Sequence, residues 1–198
     1  MLVKSLFPTA VGFEKFDPGF TSKQKNFILD LDYGPNQGNL TSKDRYLAKH
    51  KILKNFVDFC DASINKYFQN IYQPKNDVKL RITQMWANSS IKGQWHHVHA
   101  HPNSFLSAVF YMQCNDSDEI QFYKQGYNQL LVKTENFNEF NASDWFFPIA
   151  EDMLVIFPSS LTHSVPIVSG EKTRLSISMN TFPLGVLGQD EECTECIL

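Results

Sequence analysis

Two textures of apolar and polar positions divide the chain. From Thr41, the residues Tyr46, Leu53, Phe56, Cys60, Ile64, Tyr67 and Ile71 recur at roughly helical spacing through TSKDRYLAKHKILKNFVDFCDASINKYFQNIYQ, which predicts one long amphipathic helix whose apolar stripe needs a sheet to lie on. Thr41 opens it as an N-cap with an acidic residue three places later. A shorter helix is predicted around SKQKNFILDLDY, and the opening LVKSLFPTAVGFEKF reads as an edge strand closed by a turn at DPGF. From residue 77 the texture changes to short β-rich runs: DVKLRITQMWANSS, SFLSAVFYMQC, EIQFYK, QLLVKT, DMLVIFP, HSVPIV and TRLSISMNTF. At least seven strands separated by Asn, Asp, Gly, Ser and Pro turns predict a sandwich or barrel-like roll rather than a parallel α/β sheet. Helices before strands imply an α+β domain spanning 1–198, in which a helical part at about 20–75 buttresses a double-sheet jelly roll at about 77–198.

Composition narrows the picture. With 42% apolar and 14% aromatic residues the chain is too hydrophobic for disorder, and its 198 residues fit one domain. A net charge of −3 gives no general attraction to nucleic acid or to an anionic membrane, so neither is expected as a partner. Residues 1–20 lack the apolar core of a signal peptide, and no run of 18 apolar residues exists to span a bilayer. Four scattered cysteines suit a reducing compartment better than a disulfide framework, and a cytoplasmic protein is expected. The terminal Cys193-Thr-Glu-Cys196 stands without a second pair or a helix start, so ordinary thiols are its first reading.

The chemistry concentrates in WHHVHAHPNS, where four of the six histidines, His96, His97, His99 and His101, fall within six positions. In an extended run His97, His99 and His101 share one face while His96 and Val98 point away. Residues two apart are separated by roughly 6.6 Å along a strand, so only an adjacent pair can meet one ion, and His99 belongs to both pairs. Pro102 cannot donate to a ladder and is expected to end the strand, leaving His99 and His101 at a rim. Without a partner elsewhere, a solvated strand end is the better explanation of such a run.

The partner is His163 in FPSSLTHSVPIVSGEKTRLSISMN. A four-residue turn at SGEK would set Val165 opposite Ser176 and His163 opposite Ser178, so that His163, Arg174, Ser176 and Ser178 look the same way. Arg174 would lie about four residues deeper, roughly 13 Å by strand rise, a gap that suits a short dianion. An inward guanidinium needs an anion: a bidentate carboxylate ligand, or a salt bridge to one of the chain's own acids. Three histidines with open coordination positions and a deep Arg suggest a metal centre holding a carboxylate-bearing cosubstrate; two histidines plus one carboxylate is the usual non-haem Fe(II) oxygenase pattern.

These residues resemble the 2-oxoglutarate/Fe(II)-dependent dioxygenases, through LFPTAV at 6–11, MWAN at 85–88, HAHPNSFLSAVFYMQ at 99–113, FPSSLTHSV at 157–165 and TRLSISMN at 173–180. The resemblance implies a double-stranded β-helix, a cupin-like jelly roll, with Fe(II) at one mouth and 2-oxoglutarate chelating it. It implies His99 as first metal ligand, His163 as the distal histidine, Arg174 as the grip on the far carboxylate supported by Ser176, and Tyr111 as a further contact to that carboxylate. The departure is His101, which stands where most of the family has a carboxylate. Three neutral imidazoles would leave the iron one negative charge short. His101 is taken as the third ligand, with His97, water, or the acids Asp118 and Glu119 as substitutes.

The implied activity is decarboxylation of 2-oxoglutarate to succinate and CO₂ coupled to hydroxylation of an unidentified substrate, a small molecule or a protein side chain. Two rivals remain at this level. One is a cupin-like three-histidine metalloenzyme that does not use 2-oxoglutarate; the other is a non-catalytic jelly-roll binding protein. Trp86, Trp95, Phe105, Tyr123 and Trp145 are candidates for an apolar substrate pocket, although aromatics at strand spacing are more often core.

Overall fold

The computed structural model describes residues 1–126, 130 and 132–198. β1 (Gly12–Lys15) is an edge strand, as its mixed apolar pattern implies, although residues before it are not extended into a ladder. α1 (Ser22–Leu29) begins where a capping box forms: Thr21 Oγ1 accepts the Gln24 N–H at 3.3 Å and Gln24 Oε1 accepts the Thr21 N–H at 3.0 Å. The hairpin β2 (Tyr33–Pro35) and β3 (Leu40–Ser42) follows.

The long helix starts later than the stripe predicts, at α2 (Lys54–Tyr72). Thr41 is not its cap but a strand residue paired with Asn88, and Ser42 Oγ accepts the Ala87 N–H at 3.0 Å. Asp44 then accepts the Tyr46 N–H at 2.7 Å, and two 3₁₀ turns at Leu47–Lys49 and Lys51–Leu53 lead into the helix. Short polar side chains offer the backbone partners that compete with helical ones, and here they win. Within α2 the stripe holds: Phe56, Cys60, Ile64 and Tyr67 are buried, whereas Tyr46 and Ile71 are exposed. The helix closes at Gln73 in a left-handed conformation (φ 46°) with Pro74 behind it.

The β-rich half supplies β4 (Val78–Ser90), β5 (His96–His99), β6 (Leu106–Gln113), β7 (Glu119–Tyr123), β8 (Asp144–Pro148), β9 (Met153–Pro158), β10 (His163–Val165), β11 (Arg174–Leu187) and β12 (Cys196–Ile197). The expected QLLVKT strand falls partly on residues 129 and 131, outside the described residues, and its described positions lie in no strand. DWFFP at β8 takes the place beside β7. Strands form two antiparallel sheets in the orders β1-β9-β6-β11-β4-β3-β2, with β12 on β11, and β5-β10-β7-β8. This is the expected α+β jelly roll.

Alternation along β11 builds two cores from one strand. Leu175, Ile177 and Met179 join Phe110, Leu154 and Ile156 on the face covered by α2. There Phe16, Phe20, Phe56 and Phe110 meet with ring centroids 4.7 to 6.1 Å apart. The opposite face, carrying Arg174, Ser176 and Ser178, looks into the space between the sheets, where Val109, Tyr111, Ile120, Phe122, Val155 and Phe157 form the second core.

The hairpin predicted around SGEK does not form. β10 pairs with β5 and β7, while β11 pairs with β4 and β6, so Ser178 stands opposite Trp86 and Val109 rather than His163. The connection crosses between sheets and is pinned by Val168 N–H to Gln94 O and Gly93 N–H to Val168 O, both 2.8 Å. Arg174, Ser176 and Ser178 nonetheless share a face, because alternation within one strand does not depend on its neighbour.

Candidate metal centre and cosubstrate pocket

β5 and β10 are adjacent and antiparallel, with His99 directly opposite His163. Opposed residues project to the same side of a sheet, and the two imidazoles lie 4.3 Å apart between centroids. His101 follows in a turn past the end of β5, its backbone N–H bound to Ser159 O at 2.9 Å. The ring of His101 stacks on that of His163 at 5.2 Å with 12° between planes. One ring nitrogen from each of His99, His101 and His163 lies within 4.8 Å of the others.

Hydrogen bonds fix which nitrogen each ring offers. His99 Nδ1 meets His97 O at 2.7 Å, His163 Nδ1 meets Leu161 O at 3.0 Å, and His101 Nδ1 meets Asn180 Oδ1 at 2.7 Å. A carbonyl oxygen only accepts, so in each ring Nδ1 carries the proton and Nε2 keeps a lone pair. Nε2 of His101 and Nε2 of His163 stand 3.4 Å apart. Burial, reinforced by the neighbouring imidazoles, lowers the pKa of His101 to about 4 and that of His163 well below the ordinary range, and it lowers His99 as well. The rings are neutral at pH 7, the form that ligates.

Such a donor set fits iron, nickel, zinc or copper, for which imidazole is suited. Among the described residues no carboxylate joins it. Asp118 is committed to its own loop, accepting the Asn115 N–H at 2.9 Å, and Glu119 lends only its backbone oxygen, to Arg174.

Deeper between the sheets, Arg174 is 3% exposed. Its Nη1 donates to Glu119 O at 3.0 Å, and the guanidinium lies 5.1 Å from the centroid of the Tyr111 ring. Among the described residues no carboxylate pairs with it, so the salt bridge that would have explained an inward Arg is absent. Tyr111 is fully buried with its hydroxyl unpartnered, and burial raises that phenol to about 12 although the nearby guanidinium opposes the shift. Ser176 lies directly opposite Tyr111 in the ladder. A buried cation and a buried, unsatisfied hydroxyl side by side fit an organic carboxylate.

Sequence reasoning gave no role to two neighbours, Asn180 and Asn88, and named a third, Trp86, only as a pocket candidate. Asn180 orients His101 and shares the strand parity of Arg174, Ser176 and Ser178, the signal that could have found it. Trp86 stacks on His101 at 5.9 Å. Asn88 donates to Ser178 Oγ at 2.9 Å and leaves a buried Oδ1 without a partner. Of the aromatic pocket candidates, Phe105 packs against Phe68 and Tyr72 outside the roll, and Trp145 is exposed on β8. The prediction that His96 points away from His99 also fails. A register shift in β5 sets Val165 opposite His96 while His163 stays opposite His99, so an extra residue turns His96 to within 4.5 Å of the His99 ring.

Residues 84–180 match the model of a family described as putative 2OG-Fe(II) oxygenase. Match and fold point to one class of protein, in line with the sequence resemblance: the fold is a jelly roll, and the matched segment is similar to the 2OG-Fe(II) oxygenases. Within that class the fold is similar to an oxidoreductase of the 2OG-Fe(II) oxygenase family from Burkholderia pseudomallei, with TM-score 0.60 and 14% identity over 86% of this chain and 83% of that one. HygX from Streptomyces hygroscopicus, solved with nickel, 2-oxoglutarate and hygromycin B, gives TM-score 0.60 and 12% identity over 87% of this chain and 82% of that one. A Pseudomonas putida prolyl-4-hydroxylase gives TM-score 0.55 and 9% identity over 87% and 92%. No curated protein matches the chain in sequence. Among the described residues no helix is long and apolar enough to cross a membrane.

Proposed function

We propose that the chain is a 2-oxoglutarate- and Fe(II)-dependent dioxygenase that hydroxylates a small molecule or a protein side chain. His99, His101 and His163 would hold the iron through Nε2, and Arg174, Tyr111 and Ser176 would hold 2-oxoglutarate. The observation that carries this reading is the convergence of three imidazoles whose Nδ1 protons are each committed to a carbonyl. Iron, when bound, supplies oxygen activation and couples decarboxylation of 2-oxoglutarate to hydroxylation of the substrate. The chain's residues do the positioning. Carbonyl acceptors lock the ring orientations, the Arg174 guanidinium offers a fork to the far carboxylate, and the Tyr111 hydroxyl gains the partner it lacks. Three neutral ligands leave the Arg174 guanidinium as the charge that meets a carboxylate in the pocket. Four free thiols are in keeping with a cytoplasmic setting.

A donor set without a carboxylate also favours a second reading, a three-histidine metalloenzyme working without 2-oxoglutarate. One experiment separates the two. Purified protein reconstituted with Fe(II) is expected to bind 2-oxoglutarate and release succinate, and Arg174→Met to lose both. Metal-dependent turnover that persists in Arg174→Met, with no cosubstrate binding by the parent protein, would select the second reading.

A further inference from the structure

The histidines that the inner triad does not use form a second cluster. His96, His97 and His99 have ring centroids 4.5 to 4.9 Å apart pairwise, and one ring nitrogen of each lies within 4.8 Å of the others. We propose that these three side chains form an outer seat for a divalent transition ion, on the approach to the inner one and sharing His99 with it.

A solvated strand end would spread its imidazoles and hydrate them. Here the extra residue in β5 turns His96 inward to join its neighbours, and His97 Nδ1 is buried with no hydrogen-bond partner. A buried ring nitrogen without a partner is costly, and a metal bond removes that cost. Asn36 Nδ2 lies 3.2 Å from His96 Nε2 and 3.0 Å from Asn39 Oδ1, steadying the ring; ligation through that nitrogen displaces the amide. All three rings of the outer cluster are half-buried, whereas His163 of the inner one is buried, so the outer seat is the more accessible. An all-imidazole site takes Co(II), Ni(II) or Zn(II) in preference to Mg(II) or Ca(II).

His99 makes the two seats mutually exclusive. Its Nδ1 is committed to the His97 carbonyl, leaving Nε2 as the single atom that either ion can take. The wild-type protein therefore holds one ion at a time, and the outer seat acts as a station from which it passes inward. This order of the seats rests on the reading of His99, His101 and His163 as the inner metal site; binding at the outer seat does not.

Co(II) titration of the 198-residue chain, followed by visible absorption and calorimetry, tests the proposal. Wild type is expected to bind one equivalent. His101→Ala/His163→Ala should still bind one, about tenfold or more weakly, and adding His97→Phe should abolish it. His97→Phe alone should slow Co(II) uptake by the inner seat while leaving the final affinity within about twofold. If the double variant fails to fold by circular dichroism, His163→Ala and His163→Ala/His97→Phe are compared in its place. No Co(II) binding by a folded inner-site variant, or binding unchanged by His97→Phe in that background, overturns the outer seat. Complete loss of Co(II) from His97→Phe in the otherwise wild-type chain, with His163→Ala unaffected, would instead sink the inner triad and leave the outer seat standing.

Discussion

His101 and His163 lie 62 positions apart in the chain and face each other through unprotonated nitrogens, Nε2 to Nε2 at 3.4 Å. Two lone pairs aimed at one another repel until a cation lies between them, so the fold holds this pair ready at some cost to the metal-free state. Adding Fe(II) or Ni(II) anaerobically should therefore raise the thermal midpoint, with about 2.7 kcal/mol of stabilisation at an ion concentration 100 times Kd. Differential scanning calorimetry of wild type and His163→Ala checks this: a shift of equal size in both would refute the pairing.

Asn180 acts through His101. Removing its acceptor in Asn180→Ala frees the imidazole to rotate and to change tautomer, and metal affinity should fall about 10- to 100-fold. Asn180→Asp keeps an acceptor at Oδ1 and should recover most of the loss. Competition with a chromophoric chelator measures both; an unaltered affinity in Asn180→Ala would mean that the hydrogen bond has no part in holding the metal.

The proposed cosubstrate pocket separates stability from binding. Tyr111→Phe deletes a buried hydroxyl that has no partner, so the thermal midpoint of the cosubstrate-free protein should be unchanged or higher. Its affinity for 2-oxoglutarate should drop about tenfold, the worth of one good hydrogen bond. Arg174→Met should weaken 2-oxoglutarate by about 100-fold or more, in the range for one half of a buried charge pair. Isothermal titration with the metal-loaded protein reads both effects, and a Tyr111→Phe protein that is markedly less stable would place the hydroxyl in the structural network instead.

Two other phenols predict an alkaline limit. Tyr33 donates to Ile28 O at 3.0 Å and Tyr67 to Ala10 O at 2.8 Å, and burial raises each to about 12. A folded pKa above the unfolded value of about 10 stabilises the protein below pH 10, and that contribution is lost as the pH climbs from 10 to 12. Chemical denaturation across this range should show a falling midpoint, with a shallower fall in Tyr67→Phe. Parallel slopes for the variant and the wild type would remove Tyr67 from the account.

Much of the site was legible because strand periodicity is local. Alternation alone put Arg174, Ser176 and Ser178 on one face, and spacing alone made His99 and His101 a candidate pair. The apolar stripe likewise found α2 from Phe56 to Tyr67, since burying it requires only a sheet to lie against. What local pattern could not decide was competition between partners. Thr41 and Asp44 look like a helix start in sequence, yet the strand at Asn88 and a turn at Tyr46 claim those groups.

The sequence by itself determined which residues share a face, the apolar content of two cores and the chemistry available to the histidine run. Tertiary structure alone decided that His163 pairs with His99 rather than facing Ser178, that one extra residue in β5 turns His96 inward, and that the Asn180 amide carbonyl sets the His101 tautomer. These depend on contacts between segments remote in the chain, where sheet order and register rather than neighbouring residues fix which polar group finds a partner and which is left waiting for a ligand.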